Sequence, residues 1–412
     1  MEKNKQTIAA LDIGTAKVAA LVATVDEMGK LDIIGVGMRP SKGLRKGVLV
    51  NMDSTAQSVQ QALEDAQAMA GCRIHSVFTG IAGNHIRSFN SNGIVAIRDQ
   101  EVSVGDVDRV VDAARAVAIA ADQKILHVLP QEFIIDHEGG IRTPLGMSGV
   151  RLEAKVHMVI GTLSAAQQII KCIGRSDVAV EELVLEQLAS SEAVLTDDEK
   201  NLGVCLVDIG GGTTDIAIFV KGAIRHTAVI PVAGDQVTND IAVALKTPTQ
   251  HAERIKMEYG CALEELADAE KMFEVPSLGD RVPRSFSQVT LASFVEPRFE
   301  ELFVLVQAEI NRHGLEDSLG SGIVLTGGSA RMPGVVALAE EVFRLPVRLG
   351  VPRDVSGLTD VVRNPVYATA VGLLRYGYGI RSETNRIESR EDLVMHGRGL
   401  WGRMRNWFRG HF

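Results

Sequence analysis

Residues 202–220 read LGVCLVDIGGGTTDIAIFV, which is an apolar run, an aspartate, a glycine turn with two threonines, and a second apolar run. The runs 202–208 and 214–220 are typical of buried β-strands joined by a tight turn. A glycine and threonine turn can direct several backbone N–H groups and hydroxyls into one concavity, which suits phosphate oxygens. Glycine matters here because a Cβ would keep the backbone from approaching the anion. The segment therefore predicts a β-hairpin with a phosphate-binding turn.

The same pattern occurs near the N-terminus, where residues 7–25 read TIAALDIGTAKVAALVATV. Asp12 ends its first apolar run as Asp208 ends that of the other copy, almost half a chain away. An Asp-Gly turn is a common hairpin connector, so one copy alone would indicate only a hairpin. Two copies with matched flanks indicate two similar lobes. Facing hairpins would clamp the phosphates of one nucleotide between the lobes, and Lys17 would add a cation.

The two strand-end aspartates are candidate ligands for Mg²⁺, which is often held by one or two carboxylates and substrate phosphates. Asp12 and Asp208 would supply these carboxylates from opposite lobes, through water. The alternative for Asp12 is a turn residue that caps its own backbone. The residues predicted to hold the phosphates are Gly14, Thr15, Lys17, Gly210, Gly211, Gly212, Thr213 and Thr214.

Composition excludes several classes of protein. The chain has 412 residues, 46% apolar and 23% charged, with a net charge of −9, which is ordinary for a soluble globular protein. A protein with this net negative charge is not typical of general nucleic-acid binders. No apolar run reaches the ~18 residues that span a bilayer, and Asp12 and Lys17 interrupt the N-terminal apolar stretch, so we expect no signal peptide.

The cysteines and histidines show no metal-binding or disulfide pattern. No Cys-x-x-Cys pair is present, and no two histidines have the spacing of metal ligands. We interpret the ten histidines as surface or core residues. We expect four buried packing thiols in a reducing cytoplasm, namely Cys72, Cys172, Cys205 and Cys261.

A third glycine site lies late in the chain, where residues 322–334 read GIVLTGGSARMPG. The pattern predicts a buried strand, the turn Gly327-Gly328-Ser329, and Pro333 at the start of a helix. A glycine pair after a strand lets the backbone lie flat against a ring such as adenine. The alternative is an ordinary strand-to-helix turn. Other nucleotide motifs are missing: there is no P-loop, and the 210–212 glycines precede a strand and not the helix of a dinucleotide fingerprint.

The order and spacing of the three glycine sites resemble the actin/Hsp70/sugar-kinase superfamily over about residues 7–378. The resemblance implies a two-lobed actin-like α/β ATPase fold with duplicated ribonuclease-H-like lobes, ATP and Mg²⁺ as ligands, and weak ATPase activity at most. Residues 185–195 (LEQLASSEAVL) resemble the connecting helix, which makes Glu186 the residue that orients the attacking water beside Asp12 and Asp208. Without the resemblance, Glu186 is a carboxylate favoured at a helix N-terminus.

The same resemblance extends the nucleotide site into the second lobe. Residues 252–260 (AERIKMEYG) are similar to a helix whose Glu253 and Lys256 reach the ribose and adenine. The alternative for this pair is an i,i+3 surface ion pair. The residues implied to contact the nucleoside are Gly234, Glu253, Lys256, Gly327, Gly328 and Ser329.

Within the superfamily, the chain is most similar to the FtsA family of bacterial cell-division proteins. The stretch 83–162 predicts a small α/β subdomain inserted before Glu186, as in that family, and the segments 227–246 and 289–302 are also similar. The second segment implies a face that receives the C-terminal peptide of FtsZ, through Arg298 and Glu301. The alternative is a helix with solvated charges.

The resemblance implies a protein that tethers FtsZ filaments to the inner face of the cytoplasmic membrane at the division site. It would self-associate into actin-like filaments with ATP and would contact downstream divisome membrane proteins. The alternatives are a small-molecule kinase or a pilus-assembly ATPase of the same superfamily. A kinase needs a base beside its acceptor, and the sequence shows no acidic acceptor motif beyond the hairpin aspartates.

The predicted domains follow from these patterns. They are the first lobe core (1–82 and 163–200), the inserted subdomain (83–162), the second lobe core (201–233 and 302–378), its subdomain with the FtsZ-peptide face (234–301), a flexible linker (379–396) and an amphipathic helix (397–412).

The last segment reads GRGLWGRMRNWFRGHF and has four arginines and no acidic residue. Helical spacing places aromatic and aliphatic side chains on one side, which is typical of a helix lying in the plane of an anionic membrane surface. The alternative is a helix that docks in the groove of a partner or of this protein's own body. The predicted membrane residues are Leu400, Trp401, Arg403, Met404, Arg405, Trp407, Phe408, Arg409 and Phe412.

Overall fold

The computed structural model describes residues 7–26, 29–276 and 283–391. The described strands are β1 (Thr7–Ile13), β2 (Lys17–Val25), β3 (Leu31–Pro40), β4 (Leu44–Arg45), β5 (Val48–Leu49), β6 (Ser76–Ile81), β7 (Arg87–Ala96), β8 (Gln123–Ile135), β9 (Glu138–Ile141), β10 (Arg151–Thr162), β11 (Ala179–Leu185), β12 (Val204–Ile209), β13 (Thr214–Val220), β14 (Ala223–Ile230), β15 (Met272–Val275), β16 (Arg284–Ser287), β17 (Ile323–Thr326), β18 (Val347–Leu349) and β19 (Val355–Gly357).

The described helices alternate with these strands. They are α1 (Met52–Ala70), α2 (Val104–Arg115), α3 (Leu163–Gly174), α4 (Glu186–Val194), α5 (Asp197–Leu202), α6 (Gly234–Ala244), α7 (Thr249–Tyr259), α8 (Gln288–Arg312), α9 (Val335–Phe343), α10 (Thr359–Val362) and α11 (Ala368–Glu391). None of the helices in the described part combines the length and apolar character that crossing a bilayer requires.

Two sheets repeat one topology. The first has the order β11-β6-β1-β2-β3-β19, and the second has the order β14-β13-β12-β17-β18. In each, a central strand pairs antiparallel with the next strand and parallel with a later one, as β1 does with β2 and β6, and β12 with β13 and β17. The strands β2 and β12 are almost continuously apolar because both faces of each sheet are covered. The prediction of duplicated lobes is confirmed.

The inserted stretch forms its own sheet, β7-β10-β8-β9, with α2 packed against β7 and β10. Its core is separate from those of the lobes and includes Val110, Phe133 and Val156. The subdomain contacts strand β14 of the second lobe, where the Gln131 amide donates to the Ile224 carbonyl at 2.9 Å. The insertion is therefore joined to both lobes.

Helices α4 and α11 pack against each other between the two sheets. One buried apolar cluster includes Leu21 from the first sheet, Leu206 from the second, and Leu188 and Leu373 from the two helices. The helices approach closely at Gly372, where a Cβ would overlap the Ala189 carbonyl oxygen. The lobes thus share one core at this helix pair.

Two predicted boundaries differ from the structure. The boundary at 301 falls inside α8, because the apolar face of this helix continues through Leu302, Val306 and Ile310. The expected linker from 379 is helical up to Glu391, where α11 ends. Its polar composition suggested a linker, but the Arg381 side chain donates to the Thr7 carbonyl at 2.7 Å and so holds this helix on the first lobe. The rest of the linker and the predicted helix 397–412 lie outside the described residues.

The four thiols are free, and Cys172, Cys205 and Cys261 are buried as expected, whereas Cys72 is half-buried. Cys72 follows the glycine that ends α1 and lies at the edge of the first-lobe core. Burial raises the pKa of the Cys172 thiol to about 11, so this thiol stays protonated and packs as an apolar group.

Candidate functional site

A cavity of about 430 Å³ lies between the two lobes. Both glycine turns line it, together with the first residues of α4 and α6, helix α7 and the late glycine turn. The sequence-predicted residues that line it are Asp12, Gly14, Thr15, Lys17, Glu186, Asp208, Gly210, Gly211, Gly212, Thr213, Gly234, Glu253, Lys256, Gly327, Gly328 and Ser329.

Thr214 is the exception among the predicted phosphate-turn residues. Its side chain is fully buried, and its hydroxyl donates to the Val232 carbonyl at 2.8 Å. The alternation of a strand explains this difference, because successive side chains point to opposite faces and Thr213 faces the cavity. Thr214 therefore anchors the hairpin to the segment before α6 and does not line the cavity.

The two glycine turns have the same backbone geometry. Gly14 N–H donates to the Lys17 carbonyl at 2.9 Å, and Gly210 N–H donates to the Thr213 carbonyl at 3.0 Å. Each bond joins the two residues that flank a two-residue loop, in register with the β1–β2 and β12–β13 ladders. The repetition of pattern in the sequence therefore corresponds to a repetition of structure.

The two turns face each other across the cavity. A Cβ on Gly212 would lie 2.6 Å from the Thr15 hydroxyl, and one on Gly211 would lie 2.8 Å from the Ala16 Cβ. Such approaches are shorter than real Cβ contacts, so only glycine fits at these positions. Thr15 is held in place because its hydroxyl accepts a hydrogen bond from Gly47 N–H at 3.1 Å. The glycine backbone of the second lobe thus meets the Thr15 and Ala16 side chains of the first lobe, at the place where the phosphates of a nucleotide would lie.

Buried carboxylates form one wall of the cavity. Asp12 is 3% exposed and Asp208 is 7% exposed. Lys17 forms an ion pair with Asp12, and Asp208 accepts hydrogen bonds from the hydroxyls of Ser190 and Thr369. Burial raises the pKa of Asp208, and the nearby Asp12 charge adds to this effect.

Glu186 is the first residue of α4 and lies beside the same carboxylates. Burial raises its pKa well above the ordinary value, and the charges of Asp12, Asp215 and Asp208 raise it further. Burial favours the neutral amine of Lys17, but the adjacent Asp12 carboxylate outweighs this and raises the lysine pKa. One lysine cannot balance all of these groups in their ionised form, so the raised pKa values favour protonated carboxyl groups in this wall.

Asp215 is a site residue that the sequence analysis missed. It lies opposite Asp208 in the β12–β13 ladder, and its Oδ1 is buried without a hydrogen-bond partner among the described residues. Burial, followed by the Asp208 charge, raises its pKa to about 8. An aspartate lies near each end of the GGGTT turn, but only the strand register shows that both side chains enter the same site.

The carboxylate wall fits a hard divalent cation. Its donors are oxygens, one of which has no hydrogen-bond partner among the described residues, and a bound cation would take the place of the protons that the raised pKa values favour. Asp12 and Asp208 would hold such an ion from the two lobes, with Asp215 beside them.

The late glycine turn lines the cavity next to the carboxylate wall. Gly327 has φ of +88°, a left-handed conformation that favours glycine, and brings its backbone against Asp208. The Ser329 hydroxyl donates to the Gly210 carbonyl at 2.8 Å, which ties this turn to the phosphate turn. The following helix, α9, begins at Val335, because a short 3-10 turn at Ser329–Arg331 intervenes.

Lys256 lies at the end of the cavity beside α6. Its Nζ lies 2.6 Å from a Glu253 carboxylate oxygen and donates to the Gly234 carbonyl at 3.1 Å. It also donates to the Thr238 hydroxyl at 2.8 Å. The expected i,i+3 ion pair between Glu253 and Lys256 is therefore present. Lys256 also holds the N-terminus of α6 at the cavity wall.

Arg298 and Glu301 lie outside the cavity, on α8. Arg298 forms a two-pronged ion pair with Asp240 of α6, at 2.6 and 3.1 Å, and a second ion pair with Glu301. The Arg298 side chain is 28% exposed and that of Glu301 is 51% exposed. The two residues thus form one partly exposed charge cluster, held by the protein's own Asp240.

The duplicated sheets and the cleft between them define an actin-like protein. The structure is similar to the PilM–PilN type IV pilus biogenesis complex, with a TM-score of 0.66 and 16% identity over 90% of this chain and 98% of that one. It is also similar to MreB5 of Spiroplasma citri bound to ADP, with a TM-score of 0.57 and 15% identity over 93% of this chain and 98% of that one. These likenesses concern the fold.

Sequence comparison identifies the family within the actin-like proteins. The family model described as "Cell division protein FtsA" matches residues 205–372, and "SHS2 domain inserted in FTSA" matches residues 83–160. The Cell division protein FtsA of Pseudomonas aeruginosa is 64% identical over 91% of this chain and 90% of its own length. That of Neisseria meningitidis is 46% identical over the whole of both chains, and that of Escherichia coli is 45% identical over 99% of both. The chain therefore belongs to the FtsA family of cell-division proteins.

Proposed function

We propose that the protein binds ATP with Mg²⁺ in the cleft, self-associates when ATP is bound, and tethers FtsZ filaments to the inner face of the cytoplasmic membrane at the division site. The observation that carries the ATP assignment is the meeting of Thr15 and Gly212 across the cavity, beside four carboxylates. A ligand that fills both turns stabilises one arrangement of the lobes, so the role of the nucleotide is chiefly conformational.

In this proposal, the backbone N–H groups of the two glycine turns hold the phosphates, and Lys17 adds a positive charge. Bound Mg²⁺ would supply the charge that balances the triphosphate and the carboxylate wall. Glu186 lies at the start of α4, where it can orient a water molecule toward the phosphates. Gly327, Ser329, Glu253 and Lys256 border the part of the cavity assigned to the nucleoside.

The ATP assignment is tested by binding of radiolabelled ATP in equilibrium dialysis with Mg²⁺. Gly211→Glu places a carboxylate between the turns, and Asp208→Ala removes a proposed metal ligand. Both should lower the affinity at least about tenfold, since binding of charged phosphate groups depends on such contacts. Gly105→Glu is the matched control, because Gly105 is exposed on α2 of the insertion and a Cβ there would only contact the Ser103 hydroxyl at 3.8 Å. Undiminished binding in both cleft variants would exclude the assignment.

Self-association is tested in the same proteins by sedimentation with and without ATP. The wild type and Gly105→Glu should pellet more with ATP, whereas Gly211→Glu should not respond. An equal pellet for all three proteins, with and without ATP, would contradict an ATP-dependent assembly.

The FtsZ-peptide face is proposed at the charge cluster of Arg298 and Glu301 on α8. The partly exposed Glu301 carboxylate and the remaining donors of Arg298 are accessible to a peptide. Arg298→Ala and Glu301→Ala should weaken binding of the FtsZ C-terminal peptide, measured by fluorescence anisotropy. Glu300→Ala is the control, since Glu300 is exposed on the same helix.

A loss of binding in Arg298→Ala has two possible causes, because this arginine also holds Asp240. Asp240→Asn separates them: it weakens the internal ion pair and leaves the arginine in place. Retained peptide binding in Asp240→Asn together with lost binding in Arg298→Ala supports direct contact. Wild-type affinity in both Arg298→Ala and Glu301→Ala would remove this face from the proposal.

The membrane anchor is proposed for residues 397–412. Its arginines would each contribute about 1 kcal/mol near an anionic leaflet, and several tails on one assembly would bind firmly through avidity. Deletion of 397–412 should abolish co-sedimentation with vesicles that contain anionic phospholipid, and Trp407→Ala should weaken it. Unchanged pelleting of the deletion variant would exclude the anchor.

A further inference from the structure

Three side chains that are distant in sequence converge in the second lobe. His226 lies on strand β14, whereas Glu309 and His313 lie near the C-terminus of α8. The His226 Nε2 lies 2.9 Å from Glu309 Oε1, and the His313 Nε2 lies 3.5 Å from the same oxygen. The ligand atoms of all three residues lie within 4.8 Å of one another. None of these residues lines the cleft cavity.

The distances fit a metal ion coordinated by all three groups. A tetrahedral zinc site with metal–nitrogen and metal–oxygen bonds of about 2.0–2.2 Å separates neighbouring ligand atoms by roughly 3.3 Å. The observed separations of 2.9 and 3.5 Å bracket that value. The two imidazole rings stack with centroids 3.7 Å apart and an angle of 26° between their planes. Because a ring nitrogen coordinates a metal in the plane of its own ring, binding of one ion by both imidazoles requires one ring, such as that of the partly exposed His313, to rotate out of the stack.

The chemistry of the donors indicates which metal they would take. Two imidazoles and one carboxylate suit Zn²⁺ and similar transition metals, whereas Mg²⁺ prefers oxygen ligands alone. His313 is 39% exposed at its side chain, so a fourth ligand position is open to solvent and would hold water. The cluster thus differs in kind from the carboxylate wall of the cleft.

The surroundings favour a cation at this place. Glu309 and His313 are four residues apart, and so share one face of α8, and His313 lies at the end of that helix. The C-terminus of a helix carries partial negative charge and stabilises a cation. Arg312 lies 2.9 Å from Glu309 Oε2, which leaves Oε1 toward the imidazoles.

The neighbouring His157 is not part of the donor set. Its Nε2 lies 2.9 Å from the Thr227 hydroxyl, and its Nδ1 lies 2.8 Å from the Asn90 side-chain oxygen. Both nitrogens are therefore occupied. This bond to Thr227 places a residue of the inserted subdomain next to His226 on strand β14.

We infer that His226, Glu309 and His313 form a site for a divalent transition metal of the zinc type. An ion there cross-links the edge strand β14 to the C-terminal end of α8, next to the contact of the inserted subdomain with the second lobe. Its role is structural, and the site is independent of the nucleotide cleft.

The test uses the full chain without nucleotide, dialysed against Zn²⁺ and, separately, Co²⁺. The wild type should bind one ion. His313→Ala and Glu309→Gln should each bind it with an affinity at least about tenfold lower. The visible absorption of bound Co²⁺ should show a tetrahedral environment in the wild type and lose it in both variants. His137→Ala is the control, because His137 is exposed in the turn after β8, and it should behave as the wild type.

Thermal unfolding supplies a second readout. Zn²⁺ should raise the melting temperature of the wild type, since an ion that binds only the folded state stabilises it, and should have no such effect on His313→Ala. Asp208→Ala, which alters the cleft, should keep the Zn²⁺ response. Equal Zn²⁺ binding by the wild type and His313→Ala, or no tetrahedral Co²⁺ spectrum in the wild type, would overturn the proposal.

Discussion

Asp208 and Asp215 are direct partners across the β12–β13 hairpin, and both carboxyl groups are buried at the floor of the cleft. Directly opposite residues of an antiparallel pair point to the same face, so their charges repel each other. Ser190, Thr369 and Thr213 donate hydroxyl hydrogen bonds to this pair, and Asp215 Oδ1 receives none from the described residues. In the folded state this repulsion favours a proton on the pair, and a bound cation would relieve it instead.

The first prediction concerns the pH dependence of stability. The pKa of Asp215 rises from an ordinary 3.8 to about 8 in the folded state, so the folded protein holds an extra proton between these values. The free energy of unfolding therefore falls as the pH rises from about 4 to about 8. Asp215→Asn should reduce this loss by at least about 1 kcal/mol, measured by urea unfolding without nucleotide.

Part of the pH dependence of the free energy of unfolding should remain in Asp215→Asn, because the pKa values of Glu186 and Asp208 are also raised. Asp99→Asn, at an exposed position of the insertion, is the control. The account of the cleft is contradicted if Asp215→Asn and the wild type lose the same free energy over this pH range.

The second prediction concerns the contact of α4 with α11. Gly372→Ala forces a methyl group against the Ala189 carbonyl and should lower the free energy of unfolding by about 1–3 kcal/mol. Gly379→Ala is its matched control on the same helix, since no atom lies near a Cβ there. That change should be neutral or stabilise by up to about 1 kcal/mol. Equal denaturation midpoints for both variants would refute the close packing of these helices.

The third prediction concerns His127, whose Nε2 accepts a hydrogen bond from Leu185 N–H at 3.0 Å. Burial lowers its pKa from 6.5 to about 4, so the folded state resists protonation. Its contribution to stability is therefore present above pH 6.5 and is lost as the pH falls toward 4. Between neutral and acidic pH, His127→Gln should therefore lose less stability than the wild type loses.

Thermal melting between about pH 7 and pH 5 measures this effect, which by linkage amounts to at most about 2 kcal/mol. His137→Gln, at an exposed position, should keep the wild-type slope. An unchanged slope in His127→Gln would show that another group, such as the buried His157, controls acid unfolding.

The fourth prediction concerns Lys17, which forms an ion pair with the buried Asp12. Lys17→Gln leaves that carboxylate without its cation and should destabilise the protein by about 3 kcal/mol. It should also weaken ATP binding, because the phosphates lose a positive charge. Lys30→Gln, on the exposed turn before β3, is the control. Wild-type stability and ATP affinity in Lys17→Gln would mean that the amine has no role in the cleft.

The sequence was most informative where function and backbone conformation coincide. The glycine turns at 14–15 and 210–213 predicted two hairpins, and the structure contains them with identical turn hydrogen bonds. Thr214 was assigned to the site by its neighbours, whereas strand alternation turns it away. Asp215 was missed because its place becomes visible only when the register pairs it with Asp208.

Long-range convergence was beyond sequence reasoning. His226 and His313 are 87 residues apart in the sequence, so no local spacing joins them, although the fold brings their rings into contact. The helical continuation of α11 was missed for a similar reason, because Arg381 is held by Glu181 and Thr7, which are distant in sequence.

The shared core at α4 and α11 limits how the lobes can move. Pulling them apart would uncover the apolar side chains packed there, whereas a rotation about the helix pair would keep them covered. Glu186, at the start of α4, and Thr369, in the first turn of α11, both line the cleft. A group bound in the cleft would therefore contact the N-terminal ends of the two helices that join the lobes.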